Sequence, residues 1–152
     1  MELADLLTPT SIIPTLRVTS KKQALQEVAR FAADLTGQHE RTIFEVLLER
    51  ERLGTTGVGA GVAIPHGKLP GLKRLYGVFA RLESPIAFEA VDEQPVDLIF
   101  LLLAPEGAGA DHLKALAKVA RLLRDPETAH KLRESRDAEA LYAVLTMTSA
   151  AA

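Results

Sequence analysis

The sequence contains no cysteine, which removes one group of chemistries. Disulfide bridges, thiolate metal ligands and cysteine nucleophiles are all excluded. The chain also lacks a strong charge imbalance, since its formal net charge is −2 at pH 7. A general nucleic-acid-binding protein presents a basic face to the phosphate backbone. The charge balance therefore argues against that class of function.

Long apolar runs and targeting signals are missing as well. No stretch approaches the roughly 18 consecutive apolar residues of a membrane span. The N-terminus lacks the basic and apolar regions of a secretory signal. We therefore expect a cytoplasmic protein. The 152 residues fit a single domain over 1–152 with a substantial hydrophobic core.

The sequence also lacks the motifs of several common enzyme classes. The glycines between 54 and 67 match neither a phosphate-binding Walker loop nor a dinucleotide fingerprint, because the spacing fails in both cases. A G-x-S-x-G nucleophile elbow and an H-E-x-x-H zinc motif are absent. The histidines are far apart in the sequence, at His39, His66, His112 and His130. We therefore expect no metal site and no serine hydrolase.

What the chain does contain is an alternation of helical and strand patterns. Ser20 and Gly37 bracket an amphipathic helix over 21–36. Further helices are predicted over 40–52, 112–124, 126–134 and 137–145. Asp111 is the expected cap of the third, whose expected inner face is Leu113, Leu116, Ala117, Ala120 and Leu123. The interleaving of helices and strands predicts one α/β domain.

Strand patterns place a sheet between the helical layers. Val96–Leu103 is almost continuously apolar, which is typical of a central strand covered on both faces. Leu75–Leu82 reads as a strand, and Ile86–Phe88 as a separate short one. Short strands within 12–18 should lie at a sheet edge, because Pro14 cannot donate a ladder hydrogen bond. The parallel or antiparallel sense of each pair stays open.

The most distinctive stretch surrounds His66. Four of the eight residues from Gly54 to Gly61 are glycine, which allows close backbone approach. Val62-Ala63-Ile64 then predicts a strand, and Pro65 should end its pairing. His66 is thereby predicted at a strand end, between a stiff proline and the permissive Gly67. Such a setting restricts the imidazole more than a surface turn requires.

These features suggest His66 as a nucleophile toward phosphorus. A neutral imidazole keeps a free lone pair near pH 7, and a hydrogen bond at one ring nitrogen fixes the other as the attacking atom. Arg50 offers a fork that matches phosphate oxygens, and His112 lies in the first turn of a predicted helix. Spacing alone still favours the plain alternatives, a solvated charge run around Arg50 and a helix-start residue at His112.

A family resemblance changes that balance. The segments L-L-E-R-E-R-L-G-T-T-G (47–57) and G-V-A-I-P-H-G-K (61–68) resemble the enzyme IIA domains of the fructose/mannitol class of the phosphotransferase system. The likeness is stronger to the nitrogen-regulatory enzyme IIA and covers about residues 5–145. It implies a mixed sheet flanked by helices on both faces, the type-2 enzyme IIA fold. Ala60 departs from the pattern, since asparagine is common there.

The resemblance also implies a function. His66 would be phosphorylated at Nε2, with Arg50 and His112 as the supporting catalytic residues and no cofactor or metal. The donor would be the phosphohistidine of an HPr-like carrier, and the phosphorylation state would control partners such as transporters or kinases. An apolar docking patch from Val58, Val62, Leu69 and Leu72 is expected around the site. Two alternatives stay open: a sugar-specific enzyme IIA that passes phosphate to a IIB domain, and a protein-binding module that is not phosphorylated.

Overall fold

The chain forms a mixed β-sheet with helices on both faces, as a computed structural model shows for residues 2–151, with side chains described through Met147. The helices are α1 (Lys21–Thr36), α2 (Glu40–Arg52), α3 (Ala110–Arg124), α4 (Pro126–Glu134) and α5 (Ala138–Ala151). The strands are β1 (Ile12–Leu16), β2 (Gly57–Gly59), β3 (Val62–Ala63), β4 (His66–Leu69), β5 (Tyr76–Ile86) and β6 (Val96–Pro105). Short 3-10 turns over Leu3–Asp5 and Pro9–Ser11 precede β1. The predicted fold class is confirmed.

Strand β6 is the centre of the sheet, as its apolar run predicts. It pairs antiparallel with β5 on one side and parallel with both β3 and β4 on the other. Its side chains alternate between two cores: Ile99, Leu101 and Leu103 face α1 and α2, while Leu98, Phe100 and Leu102 face α3, α4 and α5. Burial on both faces explains why the run shows no polar alternation.

The two edge strands of the sheet are β1, which contains Pro14, and β2, which contains Gly57 and Gly59. Strand β1 pairs with β5 alone, which confirms the edge position that Pro14 predicts. At the other edge, β2 pairs antiparallel with β3. The separate strand predicted over Ile86–Phe88 is wrong, because β5 runs on to Ile86 and bends past a break in register after Arg81.

Pairing with β6 stops at the end of β3 and resumes in β4, directly after Pro65. The sequence predicts that Pro65 ends this pairing. Pro65 lacks an N–H, but its carbonyl still accepts from the amide of Leu102 at 3.0 Å. Pairing therefore continues into β4, where His66 lies opposite Leu102. His66 is thus the first residue of a strand instead of the residue that follows one.

Helix α1 has the ends that the sequence predicts. The Ser20 hydroxyl accepts from the amide of Gln23 at 3.1 Å, and Gly37 closes the helix at φ +74°. Helix α2 also matches its predicted bounds and packs its inner face beside α1.

Helix α3 differs from its prediction in both start and face. Gly109 is the N-cap and Asp111 lies inside the first turn, so the predicted aspartate cap is wrong. Leu113 is 69% exposed, and of the predicted inner face only Leu123 is fully buried. The buried residues are His112, Ala115, Val119, Leu122 and Leu123. Small and apolar residues occur on two sides of this helix, so periodicity alone did not identify the inner one.

Candidate active site

His66 is oriented by its own backbone. Its Nδ1 lies 2.9 Å from the carbonyl oxygen of Ile64, two residues earlier. A carbonyl can only accept, so Nδ1 carries the proton and donates. In the neutral ring the lone pair is therefore at Nε2, which points out of the strand toward α2. The bend at Ile64–Pro65 places that carbonyl within reach of the ring.

Arg50 meets this free nitrogen from the last turn of α2. Its Nε donates to His66 Nε2 at 3.1 Å, and its Nη1 donates to the carbonyl of Gly54 at 3.0 Å. The sequence separates Arg50 and His66 by sixteen residues, and the fold brings them into contact. A permanent cation next to Nε2 also favours any negative group attached there.

His112 completes the group from the first turn of α3. Its ring lies edge-on to the ring of His66, with centroids 5.6 Å apart and an interplanar angle of 72°. The residue is buried, and its Nε2 has no hydrogen-bond partner among the described residues. An unsatisfied buried ring nitrogen is unfavourable unless a ligand or a reaction partner uses it. The structure thus brings together His66, Arg50 and His112.

The environment keeps both histidine rings neutral near pH 7. Burial lowers the pKa of His66 below its ordinary 6.5, and the Arg50 guanidinium lowers it further, while the Ile64 carbonyl acts in the opposite direction. Burial likewise lowers the pKa of His112, with additional effects from His66 and from the Lys68 ammonium. A lowered pKa preserves the unprotonated nitrogen that a nucleophile needs.

Gly67 lets helix α2 approach β4 closely enough for this contact. A Cβ placed on Gly67 would lie 2.4 Å from Cγ1 of Val46, so a side chain there would displace the helix or the valine. Val46 and Arg50 are four residues apart and share one face of α2. The contact between Val46 and Gly67 therefore sets the distance between Arg50 and His66. The sequence indicates Gly67 only as a conformationally permissive residue beside His66, and no local pattern points to Val46.

An ion pair between two partly buried side chains fixes the loop that follows α2. Glu51 pairs with Lys21 at 2.7 Å, accepts the amide of Thr56 at 3.2 Å and also accepts the Thr56 hydroxyl. The Thr55 hydroxyl donates to the carbonyl of Phe88 at 3.1 Å. The T-T-G segment is thus an anchor for the chain between Arg50 and β2, a role that no local pattern indicated.

The site opens into a depression of about 440 Å³ on the surface. Its lining is Val46, Glu49, Arg50, Leu53, His66, Gly67, Lys68 and His112. The predicted apolar patch is wrong. Leu69 and Leu72 are buried in the core on the α1 and α2 side of the sheet. Val62 is buried in the core on the α3, α4 and α5 side, and Val58 packs against that second core. The exposed apolar side chain at the rim is Leu53, which is 85% accessible.

Ala60 lies far from this depression. It forms the turn between β2 and β3 at φ +57°, and its amide donates to Asp92 at 3.0 Å. That turn adjoins the start of β6, whereas His66 pairs with Leu102, about four residues and ~13 Å further along the strand. Asparagine tolerates this left-handed conformation better than alanine, so a preference for asparagine there has a backbone explanation.

The described residues contain no group of three or more histidine, cysteine or acidic side chains arranged to hold a metal ion. Among the helices that the structure describes, none is long and apolar enough to cross a membrane.

Comparison with known proteins identifies the family. The sequence model of the phosphoenolpyruvate-dependent sugar phosphotransferase system, EIIA 2, matches residues 5–147. The chain belongs to this family. Its members transfer phosphoryl groups, and the resemblance inferred from residues 47–68 is confirmed.

Individual relatives of this enzyme IIA chain point to the regulatory branch. A nitrogen regulatory protein from Bradyrhizobium diazoefficiens is 67% identical over 152 residues and covers 100% of this chain and 99% of its own length. The crystal structure of nitrogen regulatory protein IIA-Ntr from Neisseria meningitidis superimposes with a TM-score of 0.90 at 38% identity, covering 95% and 99% of the two chains. A fructose-specific EIIA component from Haloferax volcanii is 33% identical, over 95% of this chain and 97% of that protein.

Proposed function

We propose that this chain is a regulatory phosphocarrier that accepts a phosphoryl group on Nε2 of His66 from the phosphohistidine of an HPr-like carrier. The observation that carries the proposal is the hydrogen bond from His66 Nδ1 to the Ile64 carbonyl, which leaves Nε2 as the nucleophilic atom. Arg50 lies beside Nε2 of His66, and Nε2 of His112 has no hydrogen-bond partner within the described part of the chain. Both can contact an anionic group on His66.

The transfer is an in-line displacement at phosphorus. The lone pair of His66 Nε2 forms the new N–P bond while the N–P bond of the donor histidine breaks, and that electron pair stays on the donor ring. Nδ1 of His66 keeps its proton throughout and donates it in the hydrogen bond to the Ile64 carbonyl, so no proton has to leave the ring. Arg50 turns from Nε2 to the phosphoryl oxygens and stabilises their charge. His112 donates to an oxygen in the tautomer with a proton on Nε2.

The regulatory assignment rests on the relatives. The relative at 67% identity and the structure at 38% are both named nitrogen regulatory proteins, whereas the fructose-specific relative shares 33%. In this proposal, the phosphorylated and unphosphorylated forms bind partner proteins such as transporters or kinases differently. The sugar-specific alternative, transfer to a IIB domain, shares the same His66 chemistry and differs in the acceptor.

Intact-mass spectrometry tests phosphoryl acceptance. The chain is incubated with phosphoenolpyruvate, enzyme I and an HPr-like carrier, beside His66→Ala and His130→Ala variants. His130 is exposed and lies outside the site, so it is the matched control. We expect one acid-labile phosphoryl group on the native chain and on His130→Ala, and none on His66→Ala. No addition with active donors would instead indicate a protein-binding module.

A second incubation separates the two phosphocarrier functions. The phosphorylated chain is mixed with fructose- and mannitol-specific IIB domains, and intact-mass spectrometry measures the phosphate gained by each IIB domain. A regulatory protein should retain most of its phosphate over the time in which a sugar-specific enzyme IIA delivers it. Rapid and complete transfer to a IIB domain would favour the sugar-specific alternative.

A further inference from the structure

One guanidinium group joins the reactive nitrogen to a separate backbone segment. Arg50 donates from Nε to His66 Nε2 at 3.1 Å and from Nη1 to the Gly54 carbonyl at 3.0 Å. The guanidinium is planar and rigid, so its donors keep a fixed geometry relative to one another. A displacement at one of these hydrogen bonds is therefore transmitted to the other.

The segment Leu53–Gly54 has little else to hold it. Leu53 is 85% exposed, and a Cβ on Gly54 would meet no atom within 4 Å. The two amides donate to the carbonyls of Arg50 and Glu51 at 3.2 and 3.1 Å, at the C-terminal end of α2. By contrast, Thr56 is buried and bonded to the Glu51 carboxylate. Leu53 and Gly54 are thus the exposed residues of this loop, and Thr56 is its buried, anchored residue.

Phosphorylation of His66 removes the first hydrogen bond of the pair. The new N–P bond uses the lone pair that accepts from Arg50, and a covalent bond is far shorter than the present 3.1 Å between the nitrogens. The phosphoryl group therefore occupies the space in which the Nε–H of Arg50 now lies. To pair with the phosphoryl oxygens the guanidinium has to turn, and the Nη1 contact with Gly54 cannot keep its geometry.

We propose that Arg50 transmits the phosphorylation state of His66 to the Leu53–Gly54 segment, so that Leu53 presents a different apolar surface in each state. The inference rests on the proposed function, because it requires a phosphoryl group at His66. It gives a partner protein a means of distinguishing the two forms through an apolar contact at Leu53, without contacting the phosphohistidine itself.

The carbonyl carbon shift of Gly54 reports this hydrogen bond directly. It is measured by NMR on the full chain, before and after phosphorylation with the carrier system, with phosphate incorporation checked by intact mass. Unphosphorylated Arg50→Met gives the reference for the lost bond, since methionine keeps a long unbranched side chain but has no N–H to donate. Gly37, the C-cap of α1, is the internal control, because it precedes the first turn of α2 and lies on the order of 15 Å from Arg50.

The expected result is a change of the Gly54 carbonyl shift on phosphorylation, in the direction that Arg50→Met gives, with Gly37 unchanged. Full phosphate incorporation with an unchanged Gly54 shift would overturn the inference and leave the proposed function intact. If the chain gains no phosphate, both the inference and the proposed function are wrong. A Gly54 shift that is the same in Arg50→Met and in the native chain would show that the hydrogen bond is not present in solution, and would overturn the inference.

Discussion

Replacing Gly67 with alanine should move helix α2 and thereby uncouple Arg50 from His66. The added Cβ would lie 2.4 Å from Val46 Cγ1, about 1 Å short of the 3.4 Å at which ordinary contact begins. A 1 Å displacement would lengthen the 3.1 Å contact from Arg50 Nε to His66 Nε2 beyond hydrogen-bond range. Overpacking of this kind lowers the free energy of unfolding by about 1–3 kcal/mol. A misplacement of that size slows a positioned reaction by up to ~100-fold.

The matched test is a cycle with Val46→Ala, which removes the methyl group that the new Cβ meets. Unfolding in urea gives the stability of each variant, and quenched-flow phosphorylation by the carrier gives the rate. Gly67→Ala should be slow and less stable, and the double variant should recover most of the rate. Native-like rates in Gly67→Ala, or no recovery in the double variant, would refute the claim that this contact positions Arg50.

Three further predictions follow from the geometry. Arg50→Ala should slow phosphoryl acceptance by at least tenfold with an unchanged circular dichroism spectrum; unchanged kinetics would remove Arg50 from the mechanism. Ala60→Asn should raise the free energy of unfolding by about 0.5–1 kcal/mol, because asparagine tolerates positive φ. The rate of phosphoryl acceptance should stay the same, since this turn lies far from His66. A slower rate would contradict that placement. As the pH falls below 6.5, the unfolded chain should bind protons before the folded one does, because the fold lowers the pKa of both His66 and His112. The free energy of unfolding should then decrease by at most ~1.4 kcal/mol per pH unit for each ring, as urea titrations at several pH values would show. The decrease should be less steep in His66→Ala. An equal slope in that variant would contradict the lowered pKa of His66.

Elements whose ends or burial depend on neighbouring residues are predictable from the sequence. The hydroxyl of Ser20 and the positive φ of Gly37 fix both ends of α1 with little help from the rest of the fold. The apolar run of β6 likewise indicated a strand buried on both faces. The interruption at Pro65 was overestimated, because a proline removes one donor while its carbonyl still accepts from Leu102.

The candidate site was harder to predict because its contacts join distant segments. His66 stood out through its flanking residues, whereas Arg50 and His112 were weighted as functional only through the family resemblance. The packing of Val46 on Gly67 depends on how α2 docks against β4, which periodicity does not specify. The burial of His112 was missed because the helix offers a competing apolar face that includes Leu113.

The central claim is that Nε2 of His66 is the atom that receives phosphate, since the Ile64 carbonyl holds the proton on Nδ1. Long-range proton–nitrogen NMR of the histidine rings in the phosphorylated chain tests it directly. The account predicts a phosphoryl group on Nε2 of His66, with Nδ1 still protonated and His112 unmodified. Phosphate on Nδ1 of His66, or on the ring of His112, would contradict it.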